Sequence, residues 1–119
     1  MDIEQLREFC LSLPHTTEDV KWENDLCFLI DEKMFCVCGL EPSDNWQFSF
    51  KCTPEKFAEL VEIEGIIPAP YVARYHWVAV QKADVINHDE IEELIKKSYS
   101  MVFEKLPAKV KSLLSERSK

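Results

Sequence analysis

Glycine is nearly absent from this chain: Gly39 and Gly65 are the only two in 119 residues. A phosphate-cradling loop needs several glycines within a few positions, so that chemistry is excluded. Paired zinc-ligand cysteines are missing too. The five cysteines, Cys10, Cys27, Cys36, Cys38 and Cys52, are odd in number and contain no Cys-x-x-Cys. No second pair or histidine stands at ligand spacing to complete a metal site. They read as small apolar side chains in a reducing compartment. No run approaches the roughly 18 apolar residues of a membrane span. The opening Met1-Asp2-Ile3-Glu4 is acidic and amphipathic, unlike a signal peptide. The expectation is a cytoplasmic protein with no membrane segment, metal or cofactor.

Catalytic signatures are also lacking. His15, His76 and His88 are scattered and fall in no triad-like pattern. Glu90, Glu92 and Glu93 resemble one solvated helix start rather than a paired acid and base. A non-enzymatic protein is expected.

What is present fits one domain, residues 1–119. Hydrophobic content of 46% against 30% charged is ordinary globular composition, and a chain of this length buries enough surface to need no disulfide or metal. The net charge of −8 argues against a generic nucleic-acid binder, which carries a basic patch. The charge is uneven, however. Residues 1–93 hold 7 Lys/Arg and 20 Asp/Glu, whereas residues 94–119 hold 7 and 2, so the acidic bulk ends in a basic tail.

The periodicities predict the order α-β-β-β-α-β-α-α. Asp2 caps a first helix with Ile3, Leu6, Cys10 and Leu13 on one face, which ends before Pro14. Residues 14–21 read as a polar loop. Leu26–Ile30 and Met34–Cys38 read as a hairpin around Asp31-Glu32-Lys33. Trp46–Lys51 alternates strictly, with Trp46, Phe48 and Phe50 inward and Gln47, Ser49 and Lys51 toward solvent or a groove. Thr53-Pro54 opens a helix stopped by Glu64-Gly65. Ile66–Pro70 is an extended connector or short edge strand. Tyr71–Val80 reads as a central strand with Trp77, Ala79 and Gln81 on one face and His76, Val78 and Val80 on the other. Asn87 or His88 caps the long last helix, and Pro107 starts a short final one. The fold class is α+β: an antiparallel sheet of about four to five strands with helices on one face.

One set of side chains combines cations with flat rings: Lys21, Trp22, Lys33, Lys51, Tyr71, Arg74, Tyr75, Trp77 and Tyr99. That chemistry suits phosphates and exposed bases. It equally suits a core whose aromatic rims reach water. Two functions follow. One is a module contacting DNA through its lysines and rings. The other is a peptide- or small-aromatic-ligand-binding module, whose acidic surface suits a basic partner. A monomer or weak dimer is expected.

Six short motifs in order carry a family resemblance: Lys21-Trp22, Lys33-Met34-Phe35, Ser49-Phe50-Lys51-Cys52-Thr53-Pro54-Glu55, Pro70-Tyr71, Trp77-Val78-Ala79-Val80 and Ser98-Tyr99. Together the chain resembles the MmcQ/YjbR-like family over about residues 3–106. The resemblance implies a small bacterial domain of CyaY-like or secretion-chaperone-like topology. It further implies a DNA-binding protein with a "double wing" motif, the wings being the turns at Asp31–Lys33 and Glu41–Asn45. The positions matching its motifs are Lys21, Trp22, Phe35, Lys51, Tyr71, Trp77 and Tyr99, and no catalytic residue comes with it.

Overall fold

The computed structural model of the chain describes residues 2–22, 24–40, 46–70, 72–82 and 84–117. Helix α1 (Ile3–Ser12) starts on a reciprocal cap: the Asp2 carboxylate accepts the Gln5 N–H at 2.8 Å, and the Gln5 side chain accepts the Asp2 N–H at 3.1 Å. Leu13 then turns extended, as the residue before a proline should.

Six strands follow in one antiparallel sheet: β1 (Thr16–Lys21), β2 (Asp25–Ile30), β3 (Lys33–Gly39), β4 (Phe48–Lys51), β5 (Ile66–Pro68) and β6 (Trp77–Val80). Their spatial order is β1-β2-β3-β4-β6-β5. Thr53 and Pro54 open α2 (Pro54–Leu60), with the Thr53 hydroxyl accepting the Lys56 N–H. Asn87 caps α3 (His88–Glu104) in the same way through the Glu90 N–H, and α4 (Ala108–Arg117) follows Pro107.

The antiparallel α+β architecture agrees with the periodicity, with three corrections. Residues 16–21 are a strand, not a loop. β1 lies at the sheet edge and pairs Thr16–Lys21 with Ile30–Asp25, and an edge strand with both faces partly wet has no apolar alternation to betray it. Its helix-side Glu18 is held by Arg7 of α1 at 2.9 Å. Second, of residues 72–80 only Trp77–Val80 is strand, and Tyr71 lies outside the described residues. Ala73–Tyr75 is a 3-10 turn ended by His76 in the left-handed region, and β6 lies between β4 and β5 rather than at the centre. Third, α2 stops at Leu60, before Gly65.

All four helices contribute to a core on one face of the sheet. It gathers Leu6 and Cys10 of α1, Leu60 of α2, Ile91 and Ile95 of α3 and Leu114 of α4 onto Phe28, Phe48, Phe50, Val78 and Val80. The opposite face is apolar as well: Cys27, Leu29, Val37, Ala69, Trp77 and Ala79 form a second cluster, with Met34, Trp46, Ile67 and Val72 packed against it. Trp46 therefore parts from Phe48 and Phe50 and faces away from the helices.

A bulge in β3 sets which side chains reach that second face. Phe28 pairs with Cys36, but the next residue, Leu29, pairs with Met34, leaving Phe35 as an extra residue. Phe35 and Cys36 consequently both point into the helix-side core, and Met34 and Val37 both belong to the other face.

The β2–β3 hairpin turns on two residues, Asp31 and Glu32, both with positive φ (48° and 64°). This is the twist-matched geometry of a two-residue hairpin, built without glycine or asparagine.

Candidate functional site

The register defines a band across the face away from the helices. Asp19, Cys27, Val37, Ser49, Ala79 and Ile67 are successive partners from β1 to β5. Lys51 and Trp77 are partners two residues from Ser49 and Ala79, hence on the same face at one end of the band. Asp25 pairs with Gly39 at the other end.

Above this band lies an open cavity of about 680 Å³. Its floor is Val37, Ser49, Ala79 and Trp77. Its walls are Met34, Trp46, Ala69, Pro70, Val72 and, at the rim, Trp22 and Asp25. All three tryptophans of the chain meet here. They differ in role: Trp77 is 8% exposed and packs the floor, whereas Trp22, in the left-handed region just after β1, is 67% exposed and stands free at the edge. Among the described residues, the only charged or hydroxyl groups in the lining are Asp25 and Ser49. The volume is that of a small-molecule site, and mostly apolar walls with a few convergent polar groups are the usual composition of one.

A second groove of about 320 Å³ adjoins the first and shares Met34 and Trp77 with it. Its lining adds Lys33, Lys51, Val102, Lys105, Leu106 and Pro107. Three lysines from three separate segments converge here: the start of β3, the end of β4 and the turn after α3. Burial, and then the adjacent Lys105 ammonium, hold the Lys51 ammonium below the ordinary lysine range.

The backbone that places Lys51 is fixed from the helix side. The bulge takes Phe35 out of the β3–β4 ladder, which ends at Cys36↔Phe50. Ser98 of α3, fully buried, fills the gap: its hydroxyl accepts the Lys51 N–H at 3.0 Å and donates to the Phe35 carbonyl at 2.6 Å.

Of the residues singled out from sequence, the structure gathers Trp22 and Trp77 in the cavity, and Lys33 and Lys51 with Trp77 in the groove. Three others it does not gather. Lys21 pairs with Asp25 across β1 and β2 and lines neither space. Arg74 is exposed and stacks on the Tyr75 ring, 4.8 Å from its centroid. Tyr99 sits on the helix side, edge-on to Phe35 with centroids 5.2 Å apart, and its hydroxyl, raised in pKa by burial, donates to the Pro14 carbonyl. Tyr71 and the turn at 41–45 lie outside the described residues, though Pro70 and Val72 beside Tyr71 line the cavity. Sequence reasoning left out Met34, Trp46, Ser49 and Lys105. Trp46 and Ser49 were visible as members of an alternating strand, but nothing local assigned Lys105 to the same place as Lys51.

No described group of three or more His, Cys, Asp or Glu side chains could hold a metal ion, and no described helix is long and apolar enough to cross a membrane. The five cysteines are free and buried, and burial raises the Cys27 and Cys52 thiols to about 11.

The family profile described as YjbR matches residues 11–101. Two crystal structures are similar. Deinococcus radiodurans protein DR2400, with the family domain DUF419, gives a TM-score of 0.85 at 24% identity over 96% of this chain and 88% of its own. A Pseudomonas syringae protein gives 0.71 at 22% identity over 85% and 98%. At these identities the likeness speaks for the fold. No curated protein matches the chain.

Proposed function

The chain belongs to the YjbR family, and from that premise we propose that it is a binding module rather than a catalyst, with its site on the helix-free face of the sheet. The ligand is a flat, largely apolar small molecule or the aromatic side chain of a peptide. The observation that carries this reading is the convergence of Trp22, Trp46 and Trp77 on one open cavity of about 680 Å³. Ring stacking on an exposed tryptophan adds to the gain from burying apolar surface. A face that packs no helix yet keeps an apolar floor is suited to a guest that completes it.

Binding of DNA, which the resemblance implies, draws less support from the same observations. The described wing tip carries Asp31 and Glu32, both exposed, and would add repulsion rather than counterion release against phosphates. Lys21 and Arg74 do not join the lysines of the groove. Lys96 and Lys97 of the basic tail, both exposed, lie on α3, a helix of the opposite face.

A thermal-shift and tryptophan-fluorescence titration against a panel of flat aromatic compounds and aromatic-rich peptides tests the proposal. A raised melting temperature with a change in tryptophan emission supports it, and no response across the panel ends it. Retention on duplex DNA that falls steeply with added salt, in a protein indifferent to the panel, would favour the nucleic-acid function instead.

A further inference from the structure

We propose that the ligand of the tryptophan cavity carries an oxyanion, a phosphate or a carboxylate, that seats on Lys33, Lys51 and Lys105, so that the site selects aromatic anions. The inference rests on the cavity reading above and adds the charge of the ligand and its direction in the site.

Four observations converge on it. The lysine groove and the cavity are contiguous, since Met34 and Trp77 line both. No described acidic residue lines the groove, in a chain where Asp and Glu outnumber Lys and Arg by 22 to 14, so the cluster opposes the average charge. None of the three lysines forms an ion pair with a described carboxylate. Finally, the Lys105 ammonium lies close enough to Lys51 to oppose the charge there. Like charges brought together beside apolar walls cost free energy, and an anion between them turns that cost into attraction.

The far end of the site has the opposite character. Asp25 closes the cavity beside Gly39, while Lys33 begins the same strand β3. Six residues of strand separate those ends, about 20 Å at the usual rise. A ligand is therefore oriented: its ring lies over Trp77 and Val37, its anionic group toward Lys51, and any hydrogen-bond donor toward Asp25 and Ser49.

Calorimetric titration with naphthyl phosphate, naphthoate and the uncharged naphthalenemethanol tests this. The wild-type protein should bind one or both anions at least tenfold more tightly than the alcohol, and the better anion names the group. Lys51→Gln/Lys105→Gln should abolish that advantage by lowering the affinity for the anions to that for the alcohol. If the double variant fails to fold, the single Lys33→Gln should reduce the advantage. Equal binding of all three compounds, or an advantage that survives removal of the lysines, overturns the anion inference and leaves the aromatic cavity standing. Binding of the anions alone, with no change in tryptophan emission, would keep the lysine site and remove the cavity reading. Failure of all three to bind overturns both.

Discussion

Ser98→Ala should be the most informative single substitution outside the cavity. The hydroxyl is the sole link between the Lys51 amide and the Phe35 carbonyl, at 3.0 and 2.6 Å. Ser98 and Phe35 are both fully buried, so water cannot readily replace the lost contacts. Leaving a buried donor or acceptor unmade costs about 1–3 kcal/mol each. Lys51 is only partly buried and its amide can recover some solvation, which brings the sum to about 2–4 kcal/mol. Against a total stability of about 5–15 kcal/mol for a domain of this kind, that is a large fraction. It corresponds to a melting-temperature fall of roughly 10–15 °C. Urea unfolding followed by circular dichroism measures it, with Ser100→Ala, exposed on the same helix, as a control expected within about 0.5 kcal/mol of wild type. Amide exchange adds a local readout: the Lys51 N–H should lose protection well before β4 as a whole. A loss below about 1 kcal/mol, or an unchanged Lys51 exchange rate, would show that the hydroxyl is not what closes the gap left by the bulge.

Trp77→Ala should destabilise by about 3–5 kcal/mol, because the ring is nearly buried between the two cavities; a change under 1 kcal/mol in chemical unfolding would mean it contributes area without support. Asp31→Asn/Glu32→Gly should stabilise by about 0.5–1 kcal/mol, since both positions have positive φ and the replacements suit that geometry; a lower melting temperature would refute the turn assignment. Thiol reactivity should track unfolding. With Cys27 and Cys52 raised by burial to about 11, only about 0.1% of either is thiolate at pH 8. The native protein should react slowly with a disulfide reagent, faster as pH rises, and in denaturant at all five cysteines. Rapid native labelling at neutral pH would contradict the burial.

The hairpin, the alternating β4 and the three helix caps were legible because each is written locally, as an apolar run, a period of two or a polar residue ahead of a helix. β1 was not, because Thr16–Lys21 lies at an edge where neither face demands apolar residues. The candidate site was half legible. Trp22, Lys33, Lys51 and Trp77 stood out as chemistry, but chemistry alone also nominated Lys21, Arg74 and Tyr99, which the fold sends elsewhere. What separates the two groups is the pairing of β4 with β6 and the position of the turn after α3. Those are long-range facts with no trace in the local pattern. The bulge at Phe35 was equally hidden: Lys33–Gly39 is almost uniformly apolar after its first residue, so no alternation marks where the phase slips.

That slip makes Phe35 the residue of β3 that answers to the helices rather than to the ladder. Swapping Phe35 for another large apolar side chain alters one contact. Deleting it would leave Leu29 against Met34 and Ile30 against Lys33 in plain alternation, so both would keep their faces. A chain one residue shorter there would present the same mouth and lose instead the ring that meets Tyr99 and the carbonyl that holds Ser98.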